Sequence, residues 1–231
     1  MPRAERRERD VVIDVVVLGI GSFGRLARRY LDSDGAYRVV AFSAHERFCT
    51  RDDLDGLPVL PFESLGKRHP PGAVHVFVGA GYGRVNRDRS EMLEEVRARG
   101  YEIATYVSSR AILWPESQLG EGCFVFENVT IQPDASVGRG VIIWSGSTVC
   151  HDSILEDFCF LASNVVVSGN VRLGHHTFAG ANATFRDGVT TGAFTVVGAG
   201  AAILKDTAER SVHSIPGTPA RGDDSLRLKR L

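Results

Sequence analysis

From about Val107 the chain places an aliphatic residue at every sixth position, and the register holds through Ile203. Of the 17 anchors in this run, fourteen are Val, Leu or Ile; the others are Ala179, Phe185 and Thr191. The residue two before the next anchor is always Ala, Ser, Cys, Val or Thr, from Ala111 to Thr207. Side chains alternate faces along a strand, so both residues of each pair point the same way, inward. Short strands at a fixed period, with Gly at many turns, predict a β-helix. With three strands to a coil, equivalent residues stack 18 apart. Cys123 and Cys159 then fall at the small inward position two coils apart, with Val141 between them, and read as core filler.

The residue just before each anchor faces outward and is usually polar on two of the three faces. On the third it reads Phe124, Ile142, Phe160, Phe178, Val196. Such an apolar column is costly in water and predicts a partner surface, met most simply by identical chains about a closed axis.

The first 105 residues follow another pattern. VVIDVVVLG is a buried strand and SFGRLARRYL begins a helix; YRVVAFS and VHVFVGA are further strands, and DRSEMLEEVRARG is an amphipathic helix before YEIATYV. Strands alternating with helices predict a small parallel α/β unit of Rossmann-like type over residues 11–106. The β-helix follows over 107–221, and 222–231 form a charged tail.

Composition narrows the possibilities. Within 231 residues, 43% apolar and 24% charged, there is room for two cores. A formal net charge of −1 gives no electrostatic reason to expect nucleic acid or a membrane surface. No apolar stretch approaches membrane-spanning length, and the Arg-rich start has no apolar signal segment after it, so a cytoplasmic location is expected. The four cysteines match neither a Cys-x-x-Cys pair nor a compact disulfide framework.

Two clusters could carry chemistry. Gly19-Ile20-Gly21-Ser22-Phe23-Gly24 follows the first strand and opens a helix, the setting in which backbone N–H groups hold a phosphate. Gly19, Gly21, Ser22 and Phe23 are the candidate substrate contacts. A dinucleotide site would also want an acid at the end of the second strand, where only Glu46 could serve. A tight turn that binds nothing remains the alternative. The second cluster is Cys150-His151-Asp152, at a coil turn. An imidazole suits proton abstraction near neutral pH. One coil on lies Gly169, which lets a ligand approach and whose N–H could support an oxyanion. A solvated surface histidine is the competing account. His175-His176 tempts as a metal pair, but adjacent turn residues rarely chelate one ion, and solvent-facing side chains are expected.

These residues resemble the hexapeptide-repeat acyltransferases, in particular the sugar O- and N-acetyltransferases that join a nucleotide-sugar-binding domain to a left-handed β-helix. The resemblance runs from about Val15 to Arg221. It implies a homotrimer that uses acetyl-CoA, needs no metal, and acts on a small acceptor, a nucleotide-linked sugar. It assigns His151 as general base, Asp152 as the group orienting it, and Gly169-Asn170 as the facing turn. Asn86 and Arg89 match the family's Asn-x-x-Arg pattern. Gly198-Ala199-Gly200-Ala201 and Pro219-Ala220-Arg221 match its late coil and tail, and imply coenzyme A contacts at Gly180, Ala199 and Lys205. Cys150 need not be a nucleophile. Phe160 stands where some N-acetyltransferase relatives carry a second His, and the family's acidic pair after the second strand is missing or shifted at Ser43 to Glu46. A carbonic-anhydrase-like metal enzyme on the same prism and a non-catalytic trimeric scaffold are the alternatives.

Overall fold

The computed structural model describes residues 12–219. The expectations for Val11, Ala220, Arg221 and the tail 222–231 lie outside them.

The N-terminal region is a six-stranded sheet with two helices. Its elements run β1 (Ile13–Leu18), α1 (Ser22–Ser33), β2 (Tyr37–Ala44), β3 (Asp53–Leu54), β4 (Leu57–Pro61), β5 (His75–Val78), α2 (Arg87–Ala98) and β6 (Glu102–Ile103). The sheet order is β3-β4-β2-β1-β5-β6, parallel throughout except for the β3–β4 pair. Strand β1 carries four consecutive buried residues, Val15 to Leu18, as a central parallel strand covered on both faces must. Helix α1 buries Gly24, Ala27 and Leu31, and α2 buries Arg89, Leu93 and Val96, each one stripe of a 3.6-residue period.

From Tyr106 onward every strand is two residues long, and the strands stack in parallel as sheets of seven, six and five. The first sheet runs from Tyr106–Val107 to Val212–His213, the second from Ile112–Leu113 to Ala202–Ile203, and the third from Gln118–Leu119 to Thr190–Thr191. Partners lie 18 residues apart, as in Phe124 with Ile142 and Thr130 with Thr148. The anchors and small inward residues, Cys123 and Cys159 among them, form one continuous core. Burial pushes both thiols up to about 12, in keeping with apolar filler. The last coil is shorter: Val196 pairs with Val212, 16 positions on.

The turns repeat as strictly as the strands. From Gly122 to Gly200 every sixth residue has positive φ, and Asn, Asp or Gly fills most of these positions. These residue types tolerate the left-handed conformation best. One corner breaks the rule with Phe158, His176 and Phe194, at φ 61, 61 and 55. Their rings stack on one another, His176 lying 5.2 Å from Phe158 and 4.6 Å from Phe194. The expectation of a solvent-facing His176 is therefore corrected: its ring is half-buried in this stack. Burial, with His175 beside it, lowers its pKa to about 4.

The apolar column on the first sheet also has a different cover from the one expected. Phe124, Ile142 and Phe160 are buried within the single chain, in one cluster with Val15, Val17, Ala27, Leu31 and Phe77 of the N-terminal sheet and helix. Tyr82 adds a ring over both Phe160 and Phe178, at 5.2 Å from each. The surface ascribed to a neighbouring subunit is the seat of the chain's own N-terminal region. Burial of each Phe is worth ~1.5–3 kcal/mol.

A polar bolt completes the junction. Arg89 is fully buried, with no carboxylate partner among the described residues. Its guanidinium donates to the carbonyls of Gly140, Phe158, Cys159 and Gly81. The Asn86 side chain donates to the carbonyls of His176 and Thr177. Helix α2 is thus tied to three successive coils by backbone acceptors.

Candidate active site

The turn after the second sheet stacks Pro133, His151, Gly169, Asp187 and Lys205, one to a coil. His151 is exposed, as a turn residue should be, and its Nδ1 lies 2.8 Å from Asp152 Oδ2. Asp152 reaches it because its backbone is left-handed, φ 58. With the Nδ1 proton donated to that carboxylate, the lone pair resides on Nε2. The Nε2 side of the ring rests in the space that Gly169 leaves empty. A Cβ at residue 169 would stand 2.7 Å from His151 Cε1 and 2.8 Å from Nε2. Gly169 has no positive φ, so only the closeness of the imidazole excludes a side chain there.

The N–H of Gly169, expected to face an oxyanion, is already engaged. It donates to Asp187 Oδ1 at 2.7 Å. A thioester oxygen would have to displace that carboxylate to use it. Gly169 makes room for the His151 imidazole; its N–H is not free as the sequence suggested. Asp187 itself escaped sequence reading, although its place two coils beyond His151 could have been found by counting 36. Burial raises the Cys150 thiol pKa, and Asp187 adds to the shift, so Cys150 is a poor thiolate near neutral pH.

The remaining expected residues fall on other corners. Gly180 packs against Ala199 at the turn after the first sheet, where a Cβ on Gly180 would lie 2.6 Å from Ala199 N. Lys205 shares the His151 corner. One chain therefore separates the three residues expected to hold coenzyme A. His175 and His176 lie at the turn after the third sheet, so they do not meet His151 within a chain. No group of three His, Cys, Asp or Glu that could hold a metal is present among the described residues.

In the N-terminal region a cavity of about 470 Å³ opens at the carboxyl ends of β1, β2 and β5. Its walls include Gly19, His45, Phe48, Arg84 and Glu95. Beside it an apolar slot of about 360 Å³ lies between Ile20, Ala44, Phe48 and Met92. His45 bridges Glu63 and Glu95, with Nδ1 and Nε2 at 3.1 and 3.2 Å from their carboxylates. Arg84 pairs with Asp88 and Glu91. Gly19 needs to be glycine: its φ is +138 and a Cβ would stand 2.5 Å from Gly79 O. Gly21 caps α1 with open space around it, and Ser22 is exposed. Phe23 turns away from the cavity. Its ring meets Phe124 at 5.8 Å and Trp144 at 6.2 Å, so it joins the two regions and does not line this cavity. Glu46 does not line the cavity. Sequence reading missed His45, Phe48, Arg84 and Met92, which only the fold brings together.

Comparison with known proteins agrees with this architecture. The family model described as bacterial transferase hexapeptide (six repeats) matches residues 116–151. GDP-perosamine N-acetyl transferase from Caulobacter crescentus, solved in complex with CoA and GDP-perosamine, is 29% identical. It superposes at TM-score 0.79, covering 87% of this chain and 93% of its own. The acetyltransferase domain of PglB from Neisseria gonorrhoeae, in complex with acetyl coenzyme A, is 25% identical at TM-score 0.77, covering 87% and 96%. WeeI from Acinetobacter baumannii, at 20% identity and TM-score 0.75 over 91% and 99%, shares the fold. A search of curated protein sequences finds no match. A six-residue repeat that closes three stacked sheets, preceded by an α/β region, gives this chain the arrangement of these sugar acetyltransferases, to which it is similar over most of its length, with bacterial transferase hexapeptide repeats at residues 116–151.

Proposed function

We propose that the protein transfers an acetyl group from acetyl-CoA to an amino or hydroxyl group of a nucleotide-linked sugar. The observation that carries this reading is the His151–Asp152 pair seated over Gly169 at an exposed turn. Asp152 orients the imidazole through Nδ1 and stabilises its protonated form. Nε2 takes a proton from the acceptor as its heteroatom attacks the thioester carbonyl, and returns one to the departing sulfur. No acyl-enzyme is needed.

The acceptor's nucleotide fits the N-terminal cavity. Strand β1 lies between β2 and β5, so the cavity sits where crossovers run in opposite directions, the usual ligand position in an open parallel sheet. The helix N-terminus at Gly21 favours an anionic group, and the apolar slot at Phe48 accepts a planar base. We read this region as a Rossmann-like domain over 11–106 and the coils as a left-handed β-helix over 107–221, with 222–231 as a tail.

A homotrimer accounts for the divided coenzyme A contacts. With the first sheet covered by the N-terminal region, the second is the free uncharged face. Its outward residues are Ile112, Thr130, Thr148, Val166, Thr184 and Ala202. That sheet lies between the His151 corner and the Gly180–Ala199 corner. Packing copies through it would bring His151 and Lys205 of one subunit toward Gly180 and Ala199 of the next. Use of acetyl-CoA suits a cytoplasmic enzyme. The test is thiol release from acetyl-CoA with a panel of nucleotide-linked amino and hydroxy sugars, GDP-perosamine among them. Release that depends on acceptor and is lost in His151→Ala supports the reading; no release with any acceptor refutes it.

A further inference from the structure

We infer that Asp187 is the group that holds the acceptor's nitrogen, as an ammonium, beside His151, and so selects amines over hydroxyls. The inference rests on His151 being the base. The same gap above Gly169 is bordered by both residues. A Cβ there would stand 2.8 Å from His151 Nε2 and 3.4 Å from Asp187 Oδ1. Nε2 and the Asp187 carboxylate therefore border one position above Gly169, close enough together for one small group to reach both.

That carboxylate is held and unspent. Gly169 N–H fixes Oδ1 at 2.7 Å, and Asp187 has no other hydrogen bond or ion pair among the described residues. Arg186, its chain neighbour, and Lys205, one coil on, do not pair with it. A structural cap alone would account for the bond to Gly169. Other turns use side chains in that way, as where Asp157 Oδ1 accepts the Arg139 N–H, but that carboxylate is neutralised by the Arg139 guanidinium. Asp187 lacks such a partner among the described residues and borders the same position above Gly169 as His151 Nε2. Asp152 lies on the far side of the imidazole and is engaged by Nδ1, which leaves Asp187 as the carboxylate nearer Nε2.

An amine reaches the enzyme mostly as its ammonium, so binding and deprotonation must be reconciled. Asp187 binds R–NH3+, which releases one proton to solvent. The neutral nitrogen then attacks the thioester carbonyl carbon. As the C–N bond forms, His151 Nε2 takes a second proton; the C–S bond breaks, and that proton passes to the coenzyme A sulfur. The products are the amide and the free thiol. A hydroxyl acceptor brings no charge for Asp187 and gains little from it.

The test compares Asp187→Asn and Asp187→Ala with the parent, using the best amino acceptor of the panel and its counterpart with hydroxyl in place of amine. Asp187→Asn keeps an oxygen for Gly169 N–H and removes only the charge. Both variants should raise KM for the amine roughly 10- to 100-fold, the usual value of a hydrogen bond to a charged group. KM for acetyl-CoA and Tm should stay near the parent's. Faster turnover in Asp187→Ala would show that the carboxylate merely blocks Gly169 N–H, and would overturn the inference. So would an Asp187→Asn enzyme with the parent's amine KM, or a parent that acylates only hydroxyls. The last result leaves the transferase reading standing; loss of all thiol release in the parent defeats both.

Discussion

Phe23 of α1 meets Phe124 of the first coil sheet edge-on, with ring centroids 5.8 Å apart and planes at 81°. The contact is the centre of an aromatic patch in which Phe124 also touches Phe77, Tyr30 and Tyr106. Removing a buried Phe side chain costs about 3–5 kcal/mol. Phe124→Ala should therefore lower Tm sharply and open the chain near residue 105 to limited proteolysis. Light scattering should still report the parent's oligomer, because the patch faces the chain's own N-terminal region. Dissociation to monomers with the junction intact would return this column to the subunit interface.

His151→Ala should lower kcat by about 10²–10⁴, the usual contribution of general-base assistance. Affinity for acetyl-CoA and Tm should change little, since the side chain is exposed. The parent's kcat/KM should rise with pH along its lower limb, because only a neutral imidazole accepts a proton, and the variant should lose that limb. The two profiles must be compared on one acceptor, because an amine's own ionisation gives a similar limb. A variant that turns over at the parent's rate leaves proximity as the sole catalytic device.

Gly169→Ala isolates geometry from chemistry. The added methyl would collide with the His151 ring, while the backbone there suits any residue. The imidazole can swing outward, so Tm should hold within a few degrees and kcat should fall by roughly tenfold or more, consistent with the sensitivity of catalysis to misplacement of about 1 Å. Full activity in steady-state assays would mean that the ring does not act from this position.

Gly21→Val probes the N-terminal cavity. Nothing lies within 4 Å of a Cβ on Gly21, so the fold tolerates the change, while the branched side chain crowds the helix N-terminus. KM for the nucleotide-linked acceptor should rise and KM for acetyl-CoA should not. An equal rise in both would merge the two sites.

His176 gives a pH dependence of stability. Its pKa is lowered to about 4 by burial, with help from His175, so the folded state favours the neutral ring. The unfolded chain binds the proton more readily. The resulting stability is present above the unfolded pKa of about 6.5 and is lost as pH falls toward 4. His176→Phe keeps an aromatic ring in the stack with Phe158 and Phe194. It should show a flatter fall of Tm between pH 6.5 and 4 than the parent; identical slopes in a calorimetric series would exclude His176 as the cause.

The sequence by itself determined the coil. A period of six with inward pairs is a local rule applied over and over, so register, core and the corner that carries His151 follow from counting. The helices also lay within a residue or two of their expected bounds, because each buries one stripe. Tertiary structure decided everything that joins distant segments. The outward column of Phe124, Ile142 and Phe160 announced a partner, but its hydrophobicity is the same whether a second copy or residues 15–31 of the same chain cover it. Burial energy is not directional, so the pattern could not name the cover. Phe23 likewise had the spacing of a phosphate-turn residue and the placement of a core one. At the corner that carries His151, the spacing put Gly169 beside that histidine. Only the folded turn revealed that Asp187 had taken the glycine's N–H, because a hydrogen bond 18 residues long depends on which way a side chain lies.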